Sequence, residues 1–456
     1  MPVRGPLEGN MTGASKPEFV STRQQRIAEL ARRAPRMAFT SLAHHIDQGW
    51  LLEARMQTRR DGAVGVDGQK ASDYQEHLFD NIDSLLDRAK SGTYRAPPVR
   101  RAYILKGTGP ETRPLGIPTY EDKILQRAVV MVLEPLYEQD FRDCSYGFRP
   151  GRSAHQALEA LWQQTMDMGG CWMVEVDIRR FFDTLDHARL RELLQLRVRD
   201  GVLLRLIGKW LNAGVLEDGS LEQPEAGTPQ GGVISPLLAN IYLHYVLDVW
   251  FEDGVKPRLR GGAFLIRYAD DFVMGFTREE DARKVMEVLP KRFEMYGLTL
   301  HPEKTRLVPF RRPQSGRQRG GPQTGPKPGV FDLLGFRHYW ARSRRGYWVV
   351  KRKTAPSRFQ LAVKKIALWC RNHRHEPIRQ QHRTLCQKLR GHYGYYGITG
   401  NAEPLRRFEY LVKRLWRKWL SRRTNQARLP WAPFIELLQR LPLPPPKVVH
   451  SVYRSV

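Results

Sequence analysis

The sequence predicts an α+β fold with two or three domains, and three observations carry that prediction. The chain has 456 residues, which is too long for one ordinary domain. Short strand-like runs are mixed with amphipathic helical patterns, without the regular alternation of strand and helix that a parallel sheet requires. From about residue 356 onward the pattern is helical and basic. We therefore expect a mixed body of sheets and helices followed by a helical domain.

The N-terminal part is predicted to contain a tail, several helices and one β-hairpin. Residues 1–22 are rich in glycine, proline and small polar residues, so we expect a disordered tail. Residues 100–105 and 113–117 alternate as strands do, and the glycines between them predict a hairpin tip at 106–109. Helices are expected over residues 24–51, 73–90 and 121–138.

The middle of the chain has the pattern of a sheet with a few helices. Residues 264–268 and 272–276 flank a tight turn, which is typical of a β-hairpin. Residues 311–329 are dense in Gly, Pro, Arg and Gln, which predicts a flexible surface loop. Further strands are expected over 173–178, 331–340 and 347–351, and further helices over 186–196 and from 235.

Charge is distributed unevenly and indicates a polyanionic partner. The chain has 75 Lys and Arg against 47 Asp and Glu, for a formal net charge of +28. Residues 351–456 contain 24 basic and 4 acidic residues, so most of the excess lies in the C-terminal part. A field of this sign attracts nucleic acid and makes binding sensitive to salt. The alternatives are a soluble helical region with charged faces and a ribosome-like structural binder.

Cysteine usage and hydropathy point to the cytoplasm. The four cysteines are scattered without a C-x-x-C pair, which argues against a zinc ribbon and a disulfide scaffold. The N-terminus shows no apolar signal-peptide region, and no apolar run reaches membrane-spanning length. We therefore expect a cytoplasmic protein without a membrane partner.

Three aspartates stand at the ends of predicted strands, where carboxylates can bind divalent ions. Asp177 follows the β-rich run 173–176, and the backbone carbonyl at Asp177 or Ile178 could add a further ligand. Asp270 and Asp271 lie at the tip of the predicted hairpin. Magnesium prefers carboxylates, water and phosphates as ligands, and two such ions suit nucleotidyl transfer. Taken singly, a solvated Asp-Asp turn and a helix-capping aspartate are the simpler interpretations.

Five segments in a fixed order resemble the fingers and palm of reverse transcriptases. They are VEVDIRRFFD (174–183), GTPQGGVISPLLANIYL (227–243), RYADDFVMGF (267–276), LTLHPEKT (298–305) and FDLLGF (331–336). Three others resemble segments of the group II intron branch, the last of them its maturase or thumb segment: RPLGIPTYEDKILQRAV (113–129), YGFRPGRSAHQAL (146–158) and LRGHYGYYGITGN (389–401). The resemblance covers most of the chain and implies a right-hand polymerase with fingers, palm and helical thumb.

The resemblance implies an RNA-directed DNA polymerase that is encoded by a group II intron and uses two Mg²⁺ ions. The catalytic, metal-binding residues would be Asp177, Asp270 and Asp271, with Ile178 as a further metal ligand. The residues that bind the dNTP would be Lys106, Arg113, Phe182, Gln230 and Lys304. The Phe182 ring would lie beneath the sugar and collide with a 2′-hydroxyl. A surface lysine at 106 or 304 and a core aromatic at 182 are the alternatives.

The resemblance also divides the chain into domains. Fingers and palm would occupy residues 23–350, the thumb or maturase domain 351–425, and a short extension 426–456. The thumb would hold the template–primer duplex and structured intron RNA. The expected nucleic-acid-binding residues are Tyr268, Arg390, His392, Tyr395, Lys413 and Arg417. For the aromatic cluster at 392–396, a core that joins helices is the alternative to base stacking.

The implied partners are structured intron RNA, an RNA template with a DNA primer, dNTPs and target DNA. Binding to intron RNA would assist splicing and mobility. Many relatives end in a metal-dependent HNH endonuclease with paired cysteines and histidines. The segment after residue 425 has no cysteine, so no endonuclease is expected. Two alternatives stay open: an RNA-binding splicing cofactor with vestigial polymerase activity, and a domesticated or defence-associated bacterial reverse transcriptase.

Overall fold

The computed structural model describes residues 17–105, 112–217, 220–222, 231–315, 323–324, 328–423 and 429–451. Its helices are α1 Pro17–Arg33, α2 Gln48–Met56, α3 Ala71–Glu76, α4 Leu78–Ser91, α5 Tyr120–Tyr137, α6 Ala154–Asp167, α7 Phe181–Thr184, α8 His187–Gln195, α9 Gly201–Leu211, α10 Ser235–Leu243, α11 Glu279–Glu294, α12 Pro356–Asn372, α13 Ile378–Tyr396, α14 Ala402–Leu420 and α15 Trp431–Arg440. Its strands are β1 Val99–Leu105, β2 Thr112–Ile117, β3 Gly170–Asp177, β4 Val215–Glu217, β5 Ser220–Glu222, β6 Ala263–Tyr268, β7 Asp271–Phe276, β8 Arg306–Arg311, β9 Gln314–Ser315, β10 Gln323–Thr324, β11 Phe331–Leu333, β12 Phe336–Arg342 and β13 Trp348–Thr354.

Helix α5 is the central helix of the N-terminal part. It begins where the Thr119 side chain accepts a hydrogen bond from the backbone N–H of Asp122, which satisfies a donor that the first turn leaves open. Most of its side chains are buried, because α1, α2 and α10 pack against it. The Trp50 indole of α2 donates to the Ala128 carbonyl at 2.9 Å. A sheet with the strand order β2-β1-β4-β5 lies beside this helical core.

A buried polar network joins α5 to α9 and to the start of α10. The Asp122 carboxylate accepts hydrogen bonds from the Tyr94 hydroxyl, the Trp210 indole at 2.7 Å and the Gln126 amide at 3.1 Å. The other end of the Gln126 amide accepts from the backbone N–H of Ile234 at 3.3 Å. Burial raises the pKa of Asp122 to about 6, and the three hydrogen bonds act in the opposite direction.

The second sheet, with the order β6-β7-β3-β8, has a hydrophobic core on each of its faces. Alternate residues of one strand enter different cores: Val174 and Val176 face the core that contains α5, whereas Met173 faces the core that contains β11 and β13. Because both faces are covered, the strands of the hairpin are apolar almost throughout, as a fully buried sheet requires.

The C-terminal helices form a separate apolar core. Strands β11, β12 and β13 lead into α12, which packs along α14. Trp416 of α14 is fully buried, donates to the Gln381 side chain of α13 at 3.0 Å and lies edge-on to Phe434 of α15. This one side chain therefore ties α13, α14 and α15 together, and the basic residues of these helices remain on their outer faces.

The predicted α+β class and the helical C-terminal part are confirmed, and several boundaries change. Residues 17–22 belong to α1, because Val20 is buried in the core, so the tail does not extend to residue 22. The helix expected over 24–51 ends at Arg33, ahead of Pro35, and resumes as α2. The helix expected over 73–90 is interrupted at His77. The strand expected over 331–340 is interrupted by a turn between β11 and β12.

Two further expectations fall at the edges of the described part. The predicted hairpin tip at 106–109 lies outside the described residues. The loop expected over 311–329 contains a short antiparallel pair, β9 with β10, so it is not without strands. Among the described residues, no helix is both long and apolar enough to cross a bilayer.

The raised pKa of Asp122 predicts a pH-dependent stability. The folded state binds this proton more tightly than the unfolded chain, whose carboxyl group titrates near 3.8. The stabilising contribution is therefore present below pH 3.8 and is lost as the pH rises through 6. We expect the free energy of unfolding of the wild type, relative to Asp122→Asn, to fall by about 2–3 kcal/mol between pH 4 and 7.

Urea titrations of both proteins at several pH values measure this difference. Asp87→Asn, which changes an exposed residue of α4, is the control and should give a difference that does not depend on pH. Parallel pH profiles for the wild type and Asp122→Asn would show that Asp122 is ionised alike in the folded and unfolded states.

Candidate functional site

The three candidate aspartates meet at one end of the central sheet. Strands β3 and β7 are antiparallel, and Asp177 lies directly opposite Asp271 in their register. Tyr268 pairs with Asp271 in the β6–β7 hairpin, so Ala269 and Asp270 form a two-residue tip. Ala269 has a φ of 56°, in the left-handed region that favours glycine. The surrounding structure must therefore hold this tip in place.

A buried arginine holds the hairpin tip from inside. Arg267 is fully buried and makes a bidentate pair with Asp248, with N–O distances of 2.7 and 2.5 Å. Its remaining terminal nitrogen donates to the Asn240 side chain at 3.0 Å and to the Ala269 carbonyl at 3.1 Å. The guanidinium group thus connects the hairpin tip to α10 and to the π-helical segment His244–Asp248 that follows α10.

The segment after α5 packs against the same hairpin. The backbone N–H of Arg267 donates to the Cys144 carbonyl at 2.8 Å, and its carbonyl accepts from the Tyr146 N–H at 2.9 Å. Gly147 lies so close that a Cβ atom there would be 2.4 Å from the backbone nitrogen of Ala269. Only glycine permits this approach. The YGF part of the 146–158 segment therefore serves to support the hairpin tip.

Asp177 has a cationic partner and a fixed backbone. Lys304 Nζ lies 2.7 Å from the Asp177 carboxylate, and both side chains are about half exposed. The Asp177 carbonyl accepts a hydrogen bond from the His301 N–H at 2.8 Å, and Ile178 forms an isolated bridge with Leu300. These contacts bring the 298–305 segment against the end of β3. This segment contains Lys304, one of the residues that the resemblance assigns to the dNTP.

Asp271 lies among other acidic residues at the same sheet end. Burial and, to a smaller extent, the charges of Asp270, Asp177 and Glu175 together raise its pKa to about 7. Part of the residue remains exposed to water, although protein surrounds the carboxyl group closely. The backbone N–H of Leu334 points at Asp271 Oδ2 from 3.4 Å and favours the charged form.

A solvent-open cleft of about 980 Å³ is lined by Asp177 and Asp270. The cleft combines the carboxylates of Asp177 and Asp270 with several cationic side chains. This combination suits an anionic substrate that carries bound divalent ions. Its walls come from β2, from the ends of β3 and the β6–β7 hairpin, and from the first turn of α12. They are formed by Thr112, Pro114, Asp177, Ile178, Arg179, Arg180, Phe181, Phe182, Asp183, Asp270, His301, Lys304 and Arg358.

The donor set of this site fits Mg²⁺, because carboxylate oxygens are the side-chain ligands that this ion prefers. The crowding that raises the pKa of Asp271 is also what a divalent cation would relieve. In the conformation described for residues 17–451, with the gaps stated above, no group of three or more acidic, His or Cys side chains is close enough to hold a metal. The backbone therefore brings Asp177, Asp270 and Asp271 to one sheet end, but their carboxylates are not yet close enough together to coordinate one ion.

Comparison with known proteins identifies the family to which this site belongs. Residues 104–338, more than half of the chain, match the reverse transcriptase (RNA-dependent DNA polymerase) family. The chain belongs to the reverse transcriptase family. That family depends on divalent metal ions, in agreement with the acidic sheet end described above.

Several relatives of this reverse transcriptase are intron proteins. It is 48% identical to the group II intron-encoded protein LtrA of Lactococcus lactis subsp. cremoris over 242 residues, which is 51% of this chain and 40% of LtrA. It is 38% identical to protein YkfC of Escherichia coli (strain K12) over 288 residues, 56% of this chain and 75% of YkfC. Nuclear intron maturase 2, mitochondrial, of Arabidopsis thaliana is 30% identical over 181 residues, 31% of this chain and 24% of that protein.

The family match and these relatives confirm the predicted likeness to group II intron-encoded reverse transcriptases and maturases. The chain spans less than half of the length of LtrA and of the Arabidopsis maturase.

The structure brings together only part of the predicted dNTP site. Phe182 and Lys304 line the cleft with Asp177 and Asp270. Phe182 is half-buried and lies edge-on to Phe181, which is the core aromatic of the pair. Arg113 belongs to β2, between two residues of the cleft wall. Lys106 and Gln230 lie outside the described residues.

The predicted nucleic-acid-binding residues are in varied surroundings. Arg390 is exposed on α13, and Tyr268 is half-buried at the end of β6. Lys413 pairs with Glu409 at 2.7 Å, and the Arg417 guanidinium lies 4.1 Å from the centre of the Trp431 ring. His392 stacks on Phe408 at 3.9 Å, and burial lowers its pKa to about 4. The core interpretation therefore fits His392 better, whereas the nucleic-acid contacts of the others stay predictions.

The residues that support the site were not predicted from the sequence. Arg267 was within a quoted motif but had no assigned role, and Asp248 and Asn240 were not singled out. A charged residue inside the apolar run 263–268 is the one signal that could have indicated a buried partner. Arg358 was also missed, since nothing in its neighbourhood indicates that the first turn of α12 faces the cleft.

Loss of the Arg267 partner should destabilise the protein strongly. In Asp248→Asn the guanidinium group would be buried without a compensating charge, so we expect the free energy of unfolding to fall by about 3–5 kcal/mol. Denaturant titration monitored by circular dichroism measures this loss. Asp253→Asn removes the partner of Arg142 from a solvent-exposed pair and should cost at most about 1 kcal/mol. Equal losses for the two variants would contradict the special position of Arg267.

Proposed function

We propose that this reverse transcriptase copies an RNA template into DNA at Asp177, Asp270 and Asp271, and that these residues hold two Mg²⁺ ions. The observation that supports this most is the register of the central sheet. Asp177 and Asp271 face each other at the same sheet end as the hairpin tip, and Asp177 and Asp270 both line the cleft. A single acidic turn would not explain this convergence of three carboxylates from two separate segments.

Bound Mg²⁺ would activate the primer 3′-hydroxyl and neutralise the leaving pyrophosphate. The chain's own residues supply position and charge. The carboxylates would orient the ions, while Lys304 and Arg358 place cations on the wall of the cleft where a triphosphate would lie. The Lys304 contact with Asp177 also reduces repulsion within the acidic cluster. Lys106, Arg113 and Gln230 would complete the dNTP site.

Phe182 would select the sugar of the incoming nucleotide. Its ring lines the cleft in the turn after Asp177, and the Phe181 ring holds it edge-on at a centroid distance of 5.2 Å. Because Phe181 is buried and packs toward Tyr242, the Phe182 ring has limited freedom to move away from a bulkier sugar. A 2′-hydroxyl would therefore meet a fixed surface, which favours dNTP over rNTP.

The basic C-terminal part would bind nucleic acid and assist splicing. Residues 351–456 contain 24 basic and 4 acidic residues, and 15 of the basic ones lie on α12, α13, α14 and α15, whose apolar faces are buried in their own core. The basic faces are thus available to the phosphates of a template–primer duplex and of structured intron RNA. Arg390 is the best-exposed of the predicted contacts. Target DNA is a further proposed partner, in keeping with the mobility of introns.

The polymerase proposal is tested by dTTP incorporation on poly(rA) primed with oligo(dT) in the presence of Mg²⁺. The wild type should incorporate dTTP, and Asp270→Asn should reduce the rate at least about 100-fold, because a neutral amide is a poor ligand for Mg²⁺. Asp87→Asn, an exposed change on α4, should retain the wild-type rate. An inactive but folded and RNA-binding wild type would favour the splicing-cofactor alternative.

Sugar selection is tested by competition between dTTP and UTP on the same template. In Phe182→Ala the ratio of kcat/KM for dTTP to that for UTP should fall at least about tenfold, since a steric contact of this kind is worth about 1–3 kcal/mol. Because the ratio is measured within one protein, partial unfolding does not affect it. An unchanged ratio with lower rates for both nucleotides would assign Phe182 to the core.

A further inference from the structure

The turn between β11 and β12 is strained and lies between the thumb and the acidic sheet end. Leu333 pairs with Phe336, which leaves Leu334 and Gly335 as a two-residue turn. Both have positive φ values, 51° and 78°. This suits Gly335 but is unfavourable for Leu334, because the leucine side chain crowds the backbone in that region. Such a conformation persists only where neighbouring groups hold it.

The two sides of this turn are held by different parts of the protein. The Tyr395 hydroxyl of α13 donates to the Leu334 carbonyl at 2.8 Å. The Leu334 N–H points the other way, toward Asp271 Oδ2 at 3.4 Å. The Gly335 carbonyl accepts from the Ala355 N–H at 2.9 Å, immediately before α12. Leu334 therefore contacts the Tyr395 side chain of the thumb through its carbonyl and the Asp271 carboxylate through its N–H.

Tyr395 is itself held at the end of α13 by the palm. The His155 ring of α6 lies edge-on to the Tyr395 ring at 5.4 Å, and its Nε2 donates to the Tyr395 carbonyl at 2.8 Å. The Phe336 ring also lies against the tyrosine ring, with 5.7 Å between the two centroids. The ring is therefore fixed within the protein, which leaves the hydroxyl directed at the Leu334 carbonyl.

Residues 447–450, which we call the C-terminal strap, cover the end of α13. The Val449 N–H donates to the Gly397 carbonyl at 2.7 Å, and the His450 Nε2 donates to the Gly394 carbonyl at 2.9 Å. The His450 ring stacks on His155 at 3.5 Å. A Cβ atom at Gly397 would be 2.5 Å from the Lys447 carbonyl, so the strap fits closely here. The strap thus supports the same histidine that contacts Tyr395.

We propose that Tyr395 is a positioning residue for the polymerase reaction. Its hydroxyl holds the Leu334 turn in place, so that the Leu334 N–H fixes the Asp271 carboxylate. The C-terminal strap supports Tyr395 in this position. This inference rests on the proposed function, since it requires Asp271 to serve the metal site. It assigns Tyr395 a role inside the protein, different from the nucleic-acid contact that the sequence suggested. It also couples the docking of the thumb to the order of the acidic site.

Hydrogen exchange of the protein without metal tests the contact directly. Tyr395→Phe keeps the ring and removes the hydroxyl, so amides of residues 331–336 should exchange about threefold to tenfold faster than in the wild type. His450→Ala should accelerate the same amides to a smaller extent. Tyr410→Phe, which changes an exposed tyrosine of α14, is the matched control and should leave their exchange unchanged.

Mn²⁺ binding and kinetics then test the link to the metal site. By electron paramagnetic resonance, Tyr395→Phe should bind Mn²⁺ about threefold to tenfold more weakly. The Mg²⁺ concentration for half-maximal rate should rise by a similar factor, while KM for dTTP and the affinity for template–primer stay close to wild type. If Tyr395 instead stacks on nucleic acid, Tyr395→Phe should keep the wild-type dependence on Mg²⁺, because the ring remains. Tyr395→Ala should then weaken template–primer binding.

The outcomes separate this inference from the proposed function. Unchanged exchange over 331–336 and unchanged Mn²⁺ binding in Tyr395→Phe overturn the positioning role, even if Asp270→Asn abolishes polymerisation and the proposed function stands. A wild type that is folded but does not polymerise overturns both. Faster exchange with weaker Mn²⁺ binding and an unchanged melting temperature supports the positioning role, because general destabilisation would lower the melting temperature as well.

Discussion

The bidentate pair between Arg267 and Asp248 is the interaction on which the acidic site depends. Both side chains are fully buried, so each would be strongly destabilising without the other. The pair does more than neutralise charge, because the same guanidinium group holds the Ala269 carbonyl at the hairpin tip. An alanine in the left-handed region would otherwise relax, and the two aspartates beside it would move. The buried Arg267 guanidinium group thus determines the location of Asp270 and Asp271.

The sheet that carries the aspartates is rigid for a second reason. It is covered by apolar cores on both faces, so its strands cannot slip in register without exposing large side chains to water. Asp177 opposes Asp271 only in this register. Gly147 adds a steric condition, since any side chain there would displace the tip. Burial, register and close backbone approach therefore act together on the same few atoms, whereas four residues of the cleft lining, Arg179, Arg180, Lys304 and Arg358, have long cationic side chains.

The parts of the fold that the sequence made predictable are those with local signals. The hairpin 263–276 and the strand before Asp177 have strand composition and tight flanking turns, and both were located within one to three residues at each end. The turn at Leu334 was missed because leucine has no turn propensity, and its conformation is imposed by contacts with residues 60 or more positions away. Asp248 was not predicted because its partner Arg267 lies 19 residues further along the chain. That separation is too long for a helical or strand repeat to indicate the contact.

The overall charge and the acidic site act at different ranges. A formal charge of +28 attracts a polyanion from a distance, and at physiological salt this attraction is screened beyond about 8 Å. Within the cleft the balance changes, because Asp177 and Asp270 lie among Arg179, Arg180, Lys304 and Arg358. A phosphate in this cleft would therefore meet both cations and carboxylates. A divalent cation can join phosphate to carboxylate in such a cleft, which agrees with the dependence of the reverse transcriptase family on divalent metal ions.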